Sequence, residues 1–425
     1  MLSDVTLPAL CTATRAPGTG PADQAGPVNR ADIVVRSGVI ESIEPAGTRR
    51  PAGLAALDAR GLVALPNFVE PHAHLDKAMT SPTVGNDPGD LSSAIAAWIE
   101  ARPAMTTAGI ARRALGTAYR YLAHGATAIR SHTDTGPGIG TRAVEALLSV
   151  RAALAGTVDV QVVAACAAPC TGAAGTDNRA TFLAALEAGA DVVGGAPWLD
   201  PEPLASLDYL LSVALERHLP VDFHLDETLD PGTLTLLALA ERVTGGFPVR
   251  VTASHCVSLG SQPLEVQRRV AASVAAAGIA VVALPQTNLY LQGRGRPSST
   301  PRGITAIAAL KDAGVLVAGG ADNIRDPFNP MGRADPLETA SLLVTAAHRR
   351  PAEALDAVTG ASRAVLGLPT EPLAAGQPAN LVLLPGPDPA AAIAQAAAAR
   401  TVFRCGRVVA RTTVHTDFPT CPYPE

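Results

Sequence analysis

Between Gly61 and Asn323 the chain alternates short runs of Val, Ile, Leu and Ala with longer stretches whose apolar positions recur at helical spacing. There are eight such runs: Leu62–His74, Ala126–His132, Val158–Ala165, Asp191–Pro197, Pro220–Glu227, Pro248–His255, Ile279–Asn288 and Val315–Asn323. Strands alternating with helices read as an α/β fold with a parallel sheet, and eight of them predict a (β/α)8 TIM barrel. A doubly wound open sheet is the rival, but no Gly-rich dinucleotide fingerprint follows the first run.

Most runs stay apolar until their last residues and then end in His, Asp, Glu or Asn. In a barrel those ends share one face, so polar groups far apart in sequence converge there. The flanks alternate differently. Asp32–Ile43 reads as a hairpin around Ser37-Gly38, and Ala379–Leu384 and Thr401–Ala410 have the same two-residue period. They predict a small β-sandwich built from both termini, with residues 1–61 and 371–425 on either side of a barrel spanning 62–370. Ala16–Asn29 and Gly293–Arg302, rich in Pro and Gly, are expected to be loops.

Composition narrows the class. With 425 residues, 48% hydrophobic and 17% charged, the chain has ample material for a packed core. A net charge of -5 and the lack of a Lys/Arg stripe argue against a nucleic-acid partner. Apolar runs such as Ile279–Pro285 are shorter than the roughly 18 residues of a membrane span, so no membrane partner is expected. Met1–Arg15 lacks a signal-peptide pattern, which predicts a cytoplasmic protein. Cys11, Cys166, Cys170, Cys256, Cys405 and Cys421 are scattered without a CxxC, as expected of reduced thiols. Cys166 and Cys170 lack the usual spacing of metal ligands, and no nearby His completes a set.

The first run ends in Pro71-His-Ala-His-Leu-Asp-Lys77, and alternate residues of a strand point the same way, so His72 and His74 can share one metal. An isolated H-x-H is a weak signal, but three further runs end in His224-Leu-Asp-Glu227, Ser254-His255 and Asp322-Asn323. His72, His74, His224 and Asp322 then form a ligand set for one divalent ion with a position left for water. Such an ion makes that water acidic. Glu227, three residues past His224, is placed to shuttle protons, and His255 to take one from the water. A solvated loop carboxylate is the alternative reading of Glu227, and a core histidine that of His255.

With these residues in view the sequence resembles the cytosine deaminase branch of the amidohydrolases. The resemblance runs in order through Phe68-Val-Glu-Pro-His72-Ala-His74-Leu-Asp, Arg130-Ser-His-Thr-Asp134, Gly189-Ala-Asp-Val-Val193, His224-Leu-Asp-Glu227, Val251-Thr-Ala-Ser-His255, Leu291-Gln-Gly-Arg294 and Arg302-Gly-Ile-Thr305. It implies that His72, His74, His224 and Asp322 bind zinc or iron, that Glu227, His255 and Asp322 are catalytic, and that Gln292, Asn323 and Phe328 meet the substrate. Departures also carry information: Ala167 stands near the place of a pyrimidine-gripping Gln, Asn323 replaces an acid, and Phe328 replaces a Trp. His74-Leu-Asp-Lys77 and Asp322-Asn-Ile-Arg-Asp326 look more like the isopropylammelide aminohydrolases, which leaves Lys77 and Arg325 open between substrate binding and structural ion pairs.

The expectation is a metal-dependent hydrolytic deaminase, taking an exocyclic amine from a small nitrogen heterocycle, with plain cytosine possible but not the favoured substrate. A triazine N-alkylaminohydrolase and a cyclic amide hydrolase are rivals within enzymes. A catalytically idle metal- or metabolite-binding barrel is the rival outside them. The sequence leaves the oligomeric state open, a homo-oligomer included.

Overall fold

The computed structural model describes residues 1–8, 29–48 and 55–418. Eight parallel strands follow one another around a barrel: Phe68–Ala73, Ala126–Asp134, Asp159–Cys166, Val192–Gly195, Val221–Leu225, Val251–His255, Ala280–Ala283 and Val317–Gly319. The last returns to the first. The seam is closed just beyond their ends, where His74 N–H donates to the Asp322 carbonyl at 3.0 Å and Asp322 N–H to the His72 carbonyl at 2.9 Å.

A helix packs outside the barrel after every strand: Thr107–Ala123, Arg142–Ala153, Thr176–Glu187, Pro203–Arg217, Thr235–Val243, Leu264–Ala276, Ile307–Asp312 and Pro336–Thr345. Thr107–Ala123 shows why. Thr106 caps it by accepting from Gly109 N–H, and Ile110, Ala114, Thr117, Ala118 and Tyr121 form one buried face at helical spacing. Between the first strand and this helix lies a further one, Leu91–Ala101, capped by Asp90 and burying Trp98.

Two of the expected strand runs divide. In Leu62–His74, the part Leu62–Pro66 leaves the barrel and pairs antiparallel with Leu381–Pro385. Pro66 has no N–H to continue a ladder, and the buried Asn67 side chain donates to the Phe403 carbonyl at 2.8 Å, anchoring the break. In Ile279–Asn288 the strand stops at Ala283, and Pro285 opens the helix Pro285–Leu291, because proline suits the first turn of a helix and not a central strand.

Strands from both termini form a separate eight-stranded sheet. Its path runs Arg407–Thr412, Arg400–Arg404, Leu381–Pro385, Leu62–Pro66, Leu2–Leu7, Asn29–Arg36 and Val39–Pro45, with Leu57–Asp58 beside Leu2–Leu7. The hairpin at Ser37-Gly38 turns through two positive φ angles, 51° and 85°, as a tight two-residue turn requires. Arg400 ties this sheet to the barrel by a two-pronged, fully buried pair with Asp335 at 2.9 and 2.6 Å. Gly293–Arg302 carries no helix or strand; residues 16–28, Cys11 and Cys421 lie outside the described residues.

Candidate active site

Alternation along the strands decides which side chains reach the barrel mouth. His72 and His74 come from the end of the first strand, Asp222 and His224 from the fifth, and Ser254 and His255 from the sixth. Ser254 Oγ lies 2.8 Å from Asp222 Oδ1 and 2.9 Å from His72 Nδ1. Its one proton goes to the carboxylate, so it accepts from His72, whose Nδ1 carries the hydrogen and whose Nε2 lone pair is left facing the centre. Burial pushes the Asp222 carboxyl up, but His132 and the Arg130 guanidinium 2.8 Å away outweigh that and hold it below the usual range.

Around the His72 lone pair stand the other ligand candidates. His74 Nε2 lies 3.1 Å from His224 Nε2 and 3.2 Å from Asp322 Oδ1, and His72 Nε2 lies 3.5 Å from the same oxygen. His72 Nε2 and both Asp322 oxygens are buried and have no hydrogen-bond partner. Such orphans are costly unless something charged fills the space between them. Burial above all, with the neighbouring imidazoles adding to it, holds His72 and His224 well below the usual histidine range. For His74 burial is again the largest cause, followed by the Lys77 charge. Neutral imidazoles are the form that ligates a metal. Among the described residues, His72, His74, His224 and Asp322 offer one ligand atom each, all within 4.8 Å of one another.

His255 and Glu227 stand beside that set. The Nδ1 of His255 lies 3.0 Å from Asn288 Oδ1 and 3.6 Å from Glu227 Oε1, while its Nε2 has no partner and lies 3.9 Å from Asp322 Oδ2. A proton on Nδ1, donated to Asn288, leaves Nε2 free to accept one. Burial lowers this imidazole to about 4 and raises Glu227, only 7% exposed, to about 8. A carboxyl so placed can hold a proton at neutral pH. Backbone strain gathers here too: Asp226, His255, Cys256 and Asp322 all have positive φ, between 50° and 69°.

The three residues expected to meet substrate are less simply placed. Gln292 donates its side-chain N–H to the Glu227 carbonyl at 3.1 Å, which ties the loop after the seventh strand to the one after the fifth. Asn323 is 3% exposed and spends its amide nitrogen on Asp326 at 2.8 Å. The Phe328 ring lies 5.7 Å from Lys77 Nζ.

Lys77 itself belongs to the site's wall. Its ammonium lies 3.1 Å from His74 Nδ1, 3.2 Å from Asp134 and 3.6 Å from Asp76, and Trp98 donates to Asp134 at 2.6 Å. Arg325 is exposed on the loop after the eighth strand. Sequence reading passed over Asp222, Ser254, Asn288 and His132, whose ring stacks on His72 with centroids 3.7 Å apart. The two-residue period carried a signal for Asp222, which shares a strand face with His224. Ser254 and Asn288 are ordinary polar residues until the fold sets them against a histidine.

A model of the amidohydrolase family matches residues 100–414. A pterin deaminase of Rhizobium rhizogenes is 35% identical over 419 residues, 97% of this chain and 94% of that protein. The N-isopropylammelide isopropyl amidohydrolase of a Pseudomonas species is 27% identical, covering 84% of this chain and 88% of its own. Among solved structures, 5-methylcytosine deaminase from Klebsiella pneumoniae liganded with phosphonocytosine superposes with a TM-score of 0.85 at 30% identity, over 98% of this chain and all of that one. The chain belongs to the amidohydrolase family.

Proposed function

We propose that the protein removes the exocyclic amine of a bicyclic aminated heterocycle of the pterin type by metal-dependent hydrolysis. The observation that carries this is the convergence of His72, His74, His224 and Asp322 on one buried point, with Glu227 and His255 alongside. The substrate class rests on the similarity to the pterin deaminase and on Ala167, which stands near the place of a pyrimidine-gripping Gln.

The orphaned His72 Nε2 and Asp322 oxygens fit one divalent ion, zinc or iron, held by His72, His74, His224 and Asp322. When bound, such an ion would acidify water and stabilise the negative charge of the attacking oxygen. The protein's own groups do the rest. His255 Nε2 accepts a proton from the attacking water, its tautomer fixed by Asn288. Glu227, kept protonated by its burial, donates to the ring nitrogen, then takes the second proton of the added water and passes it to the departing amine, and is reprotonated from His255. Ser254 and Asp222 hold the His72 ring in its ligating tautomer.

The test is a side-by-side assay of the purified enzyme on pterin, 5-methylcytosine, cytosine and N-isopropylammelide, following ammonia and isopropylamine. Ammonia release from pterin with the highest kcat/KM is the expected result. Preference for cytosine would reject the bicyclic substrate, and ring-opened product would reject deamination altogether.

A further inference from the structure

Outside the histidine cluster the molecule has a second concave site. It is a pocket of about 560 Å³ between the stretches that follow the fifth and sixth strands, the segment from Arg296 to Ala308, and Ala346–Arg349. No acidic residue lines it, whereas Arg296, Arg302 and Arg349 do. None of these three makes an ion pair with a carboxylate among the described residues. Glu353, whose charge couples to Arg349, is itself bonded by Arg350 at 3.1 Å.

Two of these cations are held in place. Arg302 Nη1 donates to the Ala346 carbonyl at 2.7 Å and to His348 Nε2 at 3.0 Å, and Arg349 Nε to the Ala347 carbonyl at 3.0 Å. Arginine can only donate, so His348 Nε2 accepts and its Nδ1 hydrogen is left for another group. Each guanidinium keeps further N–H groups beyond these bonds. In the same wall Thr305, 5% exposed, has a buried hydroxyl without any partner. Fixed cations with spare donors, and a buried hydroxyl waiting for an acceptor, are the two halves of an oxyanion site. Leu229, Val257 and Ile304 supply an apolar side, and the volume exceeds what one oxyanion needs.

We propose that this pocket binds a phosphorylated small molecule, its phosphoryl group between Arg302, Arg349 and Thr305 and its organic part against Leu229, Val257 and Ile304. Leu229 and Val257 lie two residues beyond Glu227 and His255, so occupancy bears on the loops that carry the proton-transfer groups.

Calorimetric titration of the metal-loaded enzyme with phenyl phosphate, at fixed ionic strength, tests it. Inorganic phosphate and phenol serve as the partial probes. Phenyl phosphate should bind, and more tightly than either part. The double variant Arg302→Gln/Arg349→Gln should weaken it at least about tenfold. Thr305→Val, nearly isosteric, should weaken it severalfold and covers the case in which the double variant does not fold. Glu227→Gln should leave binding unchanged. Absence of binding at about 10 mM would overturn the proposal. So would binding that survives both pocket variants but is lost in His72→Ala, since the anion would then sit at the metal centre.

Discussion

Replacing Glu227 by Gln keeps the size of the side chain and removes its titratable proton. Metal content by elemental analysis should stay at the wild-type level while kcat falls by about 10²–10⁴, as for the loss of a general acid-base. His72→Ala and Asp322→Ala should instead lose metal and activity together, because each deletes a ligand candidate. Asp326 offers a pH test. Burial raises its carboxyl to about 7, so the contribution it makes to stability is greatest below about pH 4 and is lost as the pH rises through 7. Denaturant unfolding of chelator-treated protein at pH 5 and pH 8 should show wild type losing about 1–3 kcal/mol more than Asp326→Asn. The histidines and carboxylates at strand ends were legible as chemistry because few other roles explain four of them at corresponding places. The partners that orient them were not. Ser254 works through two hydrogen bonds, and the one to Asp222 exists only when the fifth and sixth strands pair with His224 opposite Ser254.

At the scale of elements, the alternation of runs predicted all eight barrel strands, since burial on both faces leaves a nearly continuous apolar stretch. Their ends were harder. Leu62–Pro66 and Phe68–Ala73 are equally apolar, and only the pairing of the former with Leu381–Pro385, over 300 residues away, assigns it to another sheet. The fourth strand shows how tightly the barrel wall is packed. A Cβ on Gly194 would sit 2.4 Å from Val163 Cγ1 and 3.1 Å from the Ala164 carbonyl. Gly194→Ala should therefore destabilise by about 1–3 kcal/mol, read as a lower denaturant midpoint with unchanged slope.

For the whole molecule, the family fixes the enzyme class as a hydrolase of carbon–nitrogen bonds outside peptides. No helix among the described residues is long and apolar enough to cross a membrane. The join between terminal sheet and barrel rests in part on Arg400, which also donates to the His124 carbonyl. Asp335 meanwhile caps the helix Pro336–Thr345 through Leu337 N–H. Arg400→Met would leave that carboxylate buried and unpaired, with an expected loss of about 3–5 kcal/mol by chemical denaturation. Composition could not foretell this pair, because arginines are common and only one of them meets Asp335.

The seam where the first and last barrel strands meet runs through His72, His74 and Asp322. On the proposed ligand set, the chain as it is synthesised offers three histidines before their aspartate, and a cation settling on them early would be held by an incomplete and open shell. Closing the cylinder and completing the proposed coordination would then be one event.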